Sequence, residues 1–175
     1  FVRVVGDRFG FINAANGILH SGILDILPPD RAVIELEAGF VFDQASIDAI
    51  GDAAGRGLRF ALSDVSSVDH PAYDAVAPFV SVVKVDVPSV PQIRMPKLVA
   101  EIAERFPGAL KLAAKVEEHA SFEETSELGF DLFQGFYFAR PDSLEGRRAD
   151  PSRQVLMSLL QQTLTDADPA SIEQT

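Results

Sequence analysis

The stretch LGFDLFQGFYFARP, residues 128–141, decides the fold of this chain. Its apolar run from Asp131 to Gln134 is typical of a buried parallel strand, and the run ends in an amide side chain. Gly135 permits a sharp bend directly after that strand. The pattern therefore predicts a strand that delivers one polar group, Gln134, to a site and then turns. The aromatic residues 136–138 are predicted to lie in the core.

The composition is that of an acidic globular protein without cysteine. The 175 residues, 47% hydrophobic and 23% charged, suit one packed domain of ordinary size. The net charge of -11 argues against a general nucleic-acid or anionic-membrane binder, so we expect neither partner. The lack of cysteine excludes disulfides and thiolate chemistry, and no apolar run reaches about 18 residues. Together with the lack of a signal peptide, these features predict a cytoplasmic protein.

Strand-like and helix-like segments alternate along the chain. The predicted strands are 9–13, 32–37, 58–64, 81–87, 110–117 and 131–134. The predicted helices between them are 16–27, 44–55, 73–79, 96–106 and 120–128. This alternation predicts an α/β fold with a parallel sheet, and no GxGxxG motif follows a strand to support a dinucleotide-binding unit. We expect a TIM-type (β/α) barrel.

Polar side chains fall at or near the C-terminal ends of the predicted strands. They are Asn13, Glu35, Asp64, Lys84 with Asp86, Glu117 and Gln134. In a (β/α) barrel these ends meet at one mouth, where the active site is built. Since an unpaired buried charge is costly, the pattern predicts one site at that mouth. A closed barrel has eight strands and about six are recognisable here, so we expect the first one or two βα units to be absent from this chain.

Several motifs make the chain similar to EAL domains, the barrel-shaped phosphodiesterases of cyclic di-GMP. The motifs are FGFIN, VIELE, ALSDV, VKVD, AAKVE and GFDLFQGFYFARP, which together extend from Phe9 to Pro141. The resemblance implies metal-ligand positions at Asn13, Glu35 and Asp64. It implies ligand-binding positions at Lys84 and Gln134. Asp86 and Glu117 fall on further residues of the same family site.

The chain departs from the EAL pattern at three acidic positions. Ser63 stands where the family has the first aspartate of its DDFG motif, and Ala114 and Ala38 each stand where it has a glutamate. The EAL tripeptide itself is also absent. Two-metal hydrolysis needs carboxylates to hold the cations, and losing general-base assistance alone costs about 10²- to 10⁴-fold. The resemblance thus implies a degenerate domain with no functional catalytic residue, for which Mg²⁺ or Mn²⁺ would matter only if residual activity remained.

The C-terminal residues resemble the beginning of a second domain. The AxKVE form, the LFQGFYFARP ending and the continuation LLQQTLTDADPASIEQ are similar to degenerate EAL domains fused to an HDOD domain. We therefore predict an N-terminally incomplete EAL-like barrel domain over residues 1–145. Residues 146–175 are predicted to form a linker and the first helices of an HDOD domain.

The leading functional hypothesis is a catalytically inactive EAL-type domain that acts as a bacterial signalling and protein-interaction module. Its partner would be another protein or the adjacent HDOD domain. One alternative is a non-catalytic receptor for cyclic di-GMP, and another is a weakly active, metal-dependent phosphodiesterase. A fourth, an unrelated (β/α) barrel enzyme, would gain weight if aspartate at 63 and glutamate at 114 restored no cation binding.

Overall fold

A computed structural model describes residues 6, 8–14, 16–37 and 39–138 of the chain. The chain divides into two compact units, Phe1–Arg140 and Pro141–Thr175, and the second lies outside the described residues. Ala38 and the helices predicted within 146–175 also lie outside them. The lost glutamate at position 38, the domain boundary at 145 and the HDOD assignment therefore stay predictions.

The first unit is built on a six-stranded parallel sheet whose strands follow one another in chain order. The strands are β1 (Gly10–Ala14), β2 (Ala32–Leu36), β3 (Arg59–Leu62), β4 (Val80–Asp86), β5 (Leu110–Ala114) and β6 (Leu132–Gln134). The sheet curls into a half-barrel, which confirms the predicted α/β fold as a truncated TIM-type barrel. All five residues of β2 are buried, as expected for a parallel strand that is covered on both faces.

Helices connect the strands and cover the outer face of the sheet. They are α1 (Gln44–Gly55), α2 (Tyr73–Val76), α3 (Met95–Arg105) and α4 (His119–Glu127). Helix α1 begins after Asp43, whose carboxylate accepts a 2.8 Å hydrogen bond from the Ser46 amide. Helix α3 buries Leu98 and Ile102 completely, which fastens it to the sheet. Each side chain buried in this way stabilises the fold by about 1.5–3 kcal/mol.

The helix predicted over residues 16–27 is wrong as a single element. The structure has two short 3₁₀ helices there, Asn16–His20 and Ile23–Ile26. Gly22 separates them with a φ of 69°, a left-handed conformation that glycine adopts without steric cost. The apolar spacing of this segment is helical, but the glycine interrupts its hydrogen bonds.

Two predicted strands are also too long at their C-terminal ends. Strand β3 ends at Leu62 and strand β5 ends at Ala114, so Asp64 and Glu117 lie in the loops that follow. The physical reason is the backbone of Asp64 and Lys115, whose φ values are 56° and 59°. Extended strands need a negative φ, so each strand must end before these residues.

The side chains of the sheet alternate between two apolar layers, as the pleat requires. The larger layer faces the helices, and its fully buried sheet residues include Ile34, Phe60, Val83 and Val85. The smaller layer occupies the other face and consists of Val33, Ala61, Val82, Leu112 and Ala114, with Leu132 packed against it. Two positions further along each strand, the same face carries a polar residue: Glu35 after Val33, Ser63 after Ala61, Lys84 after Val82 and Gln134 after Leu132. The apolar layer thus forms the floor beneath a row of polar side chains.

Candidate functional site

A cleft of about 640 Å³ lies at the C-terminal ends of the strands, where the sequence predicts the site. Its lining is Phe11, Asn13, Glu35, Glu37, Ser63, Asp64, Lys84, Ala114, Lys115, Glu117, Gln134, Gly135 and Phe136. The lining includes four carboxylates and two lysines. We call the space lined by these residues the cleft. Its position and its charged lining make it the candidate functional site.

The register of the sheet explains how residues distant in sequence meet in the cleft. Asn13 on β1 is paired with Glu35 on β2, and Ala114 on β5 is paired with Gln134 on β6. The Ser63 amide donates a 2.9 Å hydrogen bond to the carbonyl oxygen of Leu36, which continues the ladder beyond the end of β3. Strand pairing therefore fixes the backbone positions of these residues, whereas Asp64 and Glu117 reach the cleft from the loops after β3 and β5.

Glu35 is the centre of the polar row and is almost completely buried, with 4% of its surface exposed. Lys84 donates to both of its carboxylate oxygens, with Nζ–Oε distances of 3.0 and 3.1 Å. Ser63 Oγ donates a third hydrogen bond, of 3.2 Å, to Oε2. The Lys84 side chain is itself only 14% exposed. A buried carboxylate needs a partner of opposite charge, and this one has it within the chain.

A second ion pair lies beside the first. The Lys115 ammonium donates a 2.6 Å hydrogen bond to Asp86 Oδ2, and Ser89 Oγ donates another, of 2.8 Å, to the same oxygen. Burial raises the pKa of the Asp86 carboxyl, but these hydrogen bonds and the Lys115 charge outweigh it and hold the pKa below its ordinary value. Asp86 Oδ1 is buried without a hydrogen-bond partner among the described residues. Asp86 is therefore a charged, nearly buried carboxylate that depends on Lys115.

Two left-handed residues shape the rim of the cleft. Asp64 and Lys115 follow β3 and β5, and in both loops the next amide bonds to a neighbouring strand. The Val65 amide donates to the Lys84 carbonyl and the Val116 amide to the Gln134 carbonyl, at 3.0 Å in each case. Non-glycine residues adopt this conformation at a cost of about 1–2 kcal/mol. The surrounding ladder holds both side chains at the rim despite this strain.

Gly135 fixes the last strand against its neighbour. A Cβ atom at this position would overlap the backbone nitrogen and oxygen of Val116, so no other residue fits without moving the backbone. The Tyr137 amide donates a 3.2 Å hydrogen bond to the Val116 carbonyl just beyond the glycine. Gln134 and Phe136, the neighbours of Gly135 in sequence, both line the cleft, so the close packing of Gly135 against Val116 fixes this part of the lining. The bend predicted at this glycine is thus a consequence of close packing.

Most of the predicted site residues come together in this cleft. Asn13, Glu35, Asp64, Lys84, Glu117 and Gln134 line it, as do Ser63 and Ala114, where the family resemblance implies lost carboxylates. Asp86 does not belong to the lining and lies buried against Lys115. Lys84 forms its ion pair with Glu35. The structure reports these positions, while the roles of the residues stay predictions.

The carboxylates that line the cleft are not grouped as a metal site. Both carboxylate oxygens of Glu35 already accept hydrogen bonds from Lys84, and Ser63 supplies a neutral hydroxyl where a carboxylate would be needed. In the part of the chain that the structure describes, no three His, Cys, Asp or Glu side chains are grouped so as to hold an ion. Mg²⁺ and Mn²⁺ prefer several oxygen ligands in a nearly octahedral arrangement. The oxygen ligands that this cleft offers therefore do not fit such an ion.

Sequence reasoning missed Lys115, Ser89 and the exposure of the aromatic run. Phe136, Tyr137 and Phe138 are 55%, 41% and 48% exposed, so their predicted place in the core is wrong. The backbone forms a turn over these residues, closed by a 3.1 Å hydrogen bond from the Phe138 amide to the Gly135 carbonyl, and a helix or strand pattern does not reveal such a turn. Lys115 had one available signal, since it follows the last residue of a strand inside the AAKVE motif.

The chain is similar in sequence and in structure to proteins of cyclic di-GMP signalling, although no family model matches it. It is 26% identical over 152 residues to the cyclic di-GMP phosphodiesterase CdgJ of Vibrio cholerae serotype O1 (strain ATCC 39315 / El Tor Inaba N16961). That match covers 87% of this chain and 35% of CdgJ. The chain spans about a third of the length of the curated relatives it matches.

Solved structures of EAL proteins share the fold. The cyclic di-GMP complex of the PaMucR phosphodiesterase matches with a TM-score of 0.67 and 18% identity, over 81% of this chain and 71% of that one. A standalone EAL protein from Vibrio cholerae O395, in its cyclic di-GMP bound form, matches with a TM-score of 0.60 and 23% identity. This second match covers 81% of this chain and 68% of that one. The chain therefore has the fold of EAL domains in the form of a half-barrel, and the sequence similarity supports the resemblance.

The helices of the described ranges are all too short or too polar to cross a membrane.

Proposed function

We propose that this domain is a catalytically inactive EAL-type module that serves bacterial signalling through protein interaction. One observation carries the proposal. The buried Glu35 carboxylate, which the resemblance places at a metal-ligand position, has both oxygens occupied by hydrogen bonds from Lys84. A carboxylate that already has a buried counter-ion is poorly available to a second cation.

The neighbouring substitutions strengthen the proposal. Ser63 contributes a hydroxyl to Glu35, and Ala114 contributes a methyl group to the apolar layer below the cleft. Neither supplies the negative charge with which a carboxylate holds a divalent cation, and neither is a base that takes a proton from water. General-base assistance is worth about 10²- to 10⁴-fold in rate, and a cation stabilises the developing charge in addition. A cleft without these groups keeps the shape of an enzyme site but lacks its chemistry.

The proposed partner is a protein, with the adjacent HDOD domain as the first candidate. The support is the resemblance of the residues that follow Pro141 to HDOD fusions. The exposed aromatic side chains of Phe136, Tyr137 and Phe138 add a described surface of the kind that partners contact, since exposed aromatic groups are enriched at interfaces.

The test is a hydrolysis assay of cyclic di-GMP with Mg²⁺ or Mn²⁺, performed on the wild type and on a Ser63→Asp/Ala114→Glu variant. We expect no linear dinucleotide from the wild type at high protein concentration. Metal-dependent formation of the linear product by the wild type would overturn the proposal. Mn²⁺ binding by the double variant would support the EAL ancestry of the site.

A second candidate function is a non-catalytic receptor for cyclic di-GMP. The cleft, at about 640 Å³, has the size of a small-molecule site, and both Gln134 and the exposed Phe136 ring reach it. Four carboxylates against two lysines in the lining oppose a phosphate-bearing ligand. Calorimetric titration with cyclic di-GMP, with and without Mg²⁺, decides between the two. A dissociation constant at or below about 10 μM favours the receptor. If no heat is detected with or without Mg²⁺, the protein-interaction module stays the proposed function.

A further inference from the structure

Lys115 holds a backbone conformation that its side chain does not favour. Its φ of 59° is in the left-handed region, where a glycine would have no Cβ clash and a lysine is strained. The strained backbone places the ammonium 2.6 Å from Asp86 Oδ2, although most of the side chain lies in solvent. Glycine would adopt this conformation without strain, but it could not form the ion pair with Asp86.

Several carboxylates surround the Lys115 ammonium. Asp86 is bonded to it directly, and Asp64 and Glu117 lie close enough to act on it electrostatically. The hydrogen bond and charge of Asp86, then the charges of Asp64 and Glu117, raise the pKa of Lys115. Asp86 is only 9% exposed, and its second oxygen has no partner among the described residues. The Lys115 ammonium, bonded to Asp86 and within electrostatic range of Asp64 and Glu117, balances part of their negative charge, as a metal ion does in other carboxylate sites.

Lys84 repeats the arrangement deeper in the cleft. Its ammonium contacts both oxygens of the buried Glu35, and the ring centre of Phe11 lies 6.0 Å away on the same side of the sheet. The two buried carboxylates at the mouth of the half-barrel, Glu35 and Asp86, thus each have a lysine as counter-ion.

We propose that Lys84 and Lys115 are the resident cations of this cleft, so that the chain itself balances its buried carboxylates and no divalent cation is taken up. The inference rests on the proposed loss of catalysis but goes beyond it, because an inactive domain could still bind metal. Lys115 is a positioning residue, since its ammonium fixes the Asp86 carboxylate.

The first test is a titration of Mn²⁺ alone into the full chain, with free Mn²⁺ measured by its paramagnetic resonance signal. We expect no saturable binding up to about 1 mM, and the same Tm in Mn²⁺ as in EDTA. Saturable binding that disappears in Glu35→Gln or Asp86→Asn would overturn the inference. If this binding occurred without hydrolysis of cyclic di-GMP, the proposed function would stand while the inference failed.

The second test is the Lys115→Gly variant, which removes the backbone strain and the ammonium together. We expect Asp86 to become dependent on an added cation, so that Mn²⁺ at about 1 mM raises the Tm of the variant by at least about 4 °C. Lys97→Ala is the matched control, because Lys97 is a solvent-exposed lysine in an ion pair with Glu101. A Lys115→Gly protein that is as stable as the wild type and indifferent to Mn²⁺ would overturn the role of Lys115. The titration of the wild type decides the matter if the variant does not fold.

Discussion

Replacing Lys84 by methionine is expected to destabilise the domain strongly, because it removes the counter-ion of a buried carboxylate. Methionine keeps much of the apolar stem and leaves Glu35, 4% exposed, with the Ser63 hydroxyl as its one remaining side-chain donor among the described residues. Breaking a buried ion pair from one side costs about 3–5 kcal/mol. Since Ser63 still donates, we expect the lower end, about 3 kcal/mol, which corresponds to roughly 10 °C in Tm for a domain of this size.

A double-mutant cycle shows whether the pair itself is responsible. Glu35→Gln removes the charge but keeps an oxygen for Ser63, so Lys84→Met combined with Glu35→Gln should recover about 2 kcal/mol relative to Lys84→Met alone. Lys97→Met is the matched control, since its pair with Glu101 is exposed and worth about 0.3–0.5 kcal/mol.

Urea unfolding followed by circular dichroism measures these free energies, provided that the slope with urea is unchanged between variants. A loss of less than about 1 kcal/mol in Lys84→Met would refute the assignment of Lys84 as a buried counter-ion. A double variant no more stable than Lys84→Met would refute the coupling to Glu35.

The other predictions concern the packing of the last strand and the response to acid. Gly135→Ala should destabilise the domain by about 2–4 kcal/mol, because the new Cβ overlaps the Val116 backbone and disturbs its hydrogen bonds. Gly55→Ala, where nothing lies within 4 Å of the added Cβ, should be neutral or slightly stabilising; equal urea midpoints for the two variants would contradict the packing argument. The lowered pKa of Asp86 means that its contribution is present above its unfolded pKa, near pH 4, and is lost as the pH falls through the folded value. As the pH falls below about 4, the free energy of unfolding of Asp86→Asn should therefore decrease less than that of the wild type. If the two proteins showed parallel profiles of unfolding free energy against pH, the result would count against the Asp86–Lys115 pair.

The sheet could be predicted from the sequence because its strands have strong local signals. Apolar β-branched runs and the regular spacing of helices between them are sufficient to place six parallel strands in order. The left-handed residues Asp64 and Lys115 and the break at Gly22 were not predictable in this way. The left-handed conformations of Asp64 and Lys115 are held by hydrogen bonds from the following amides to a neighbouring strand, which no local pattern records.

The position of the site was also predictable, but its electrostatic balance was not. Polar residues at strand ends converge on one cleft because parallel strands all end at the same side of a barrel. Which lysine pairs with which carboxylate depends on sheet register and side-chain reach. Lys84 thus meets Glu35, 49 residues away, and Lys115 meets Asp86, 29 residues away. The sequence placed Lys84 at the predicted site, but the position of Lys115 after a strand did not reveal which carboxylate it pairs with.

The most direct test of the central claim is a crystal structure of the full chain grown in MnCl₂, with an anomalous difference map at the cleft. The account predicts the Lys84 ammonium within hydrogen-bond distance of both Glu35 oxygens, the Lys115 ammonium on Asp86, and no anomalous peak between them. A manganese ion bound by Glu35 and Asn13, with Lys84 displaced from the carboxylate, would contradict it.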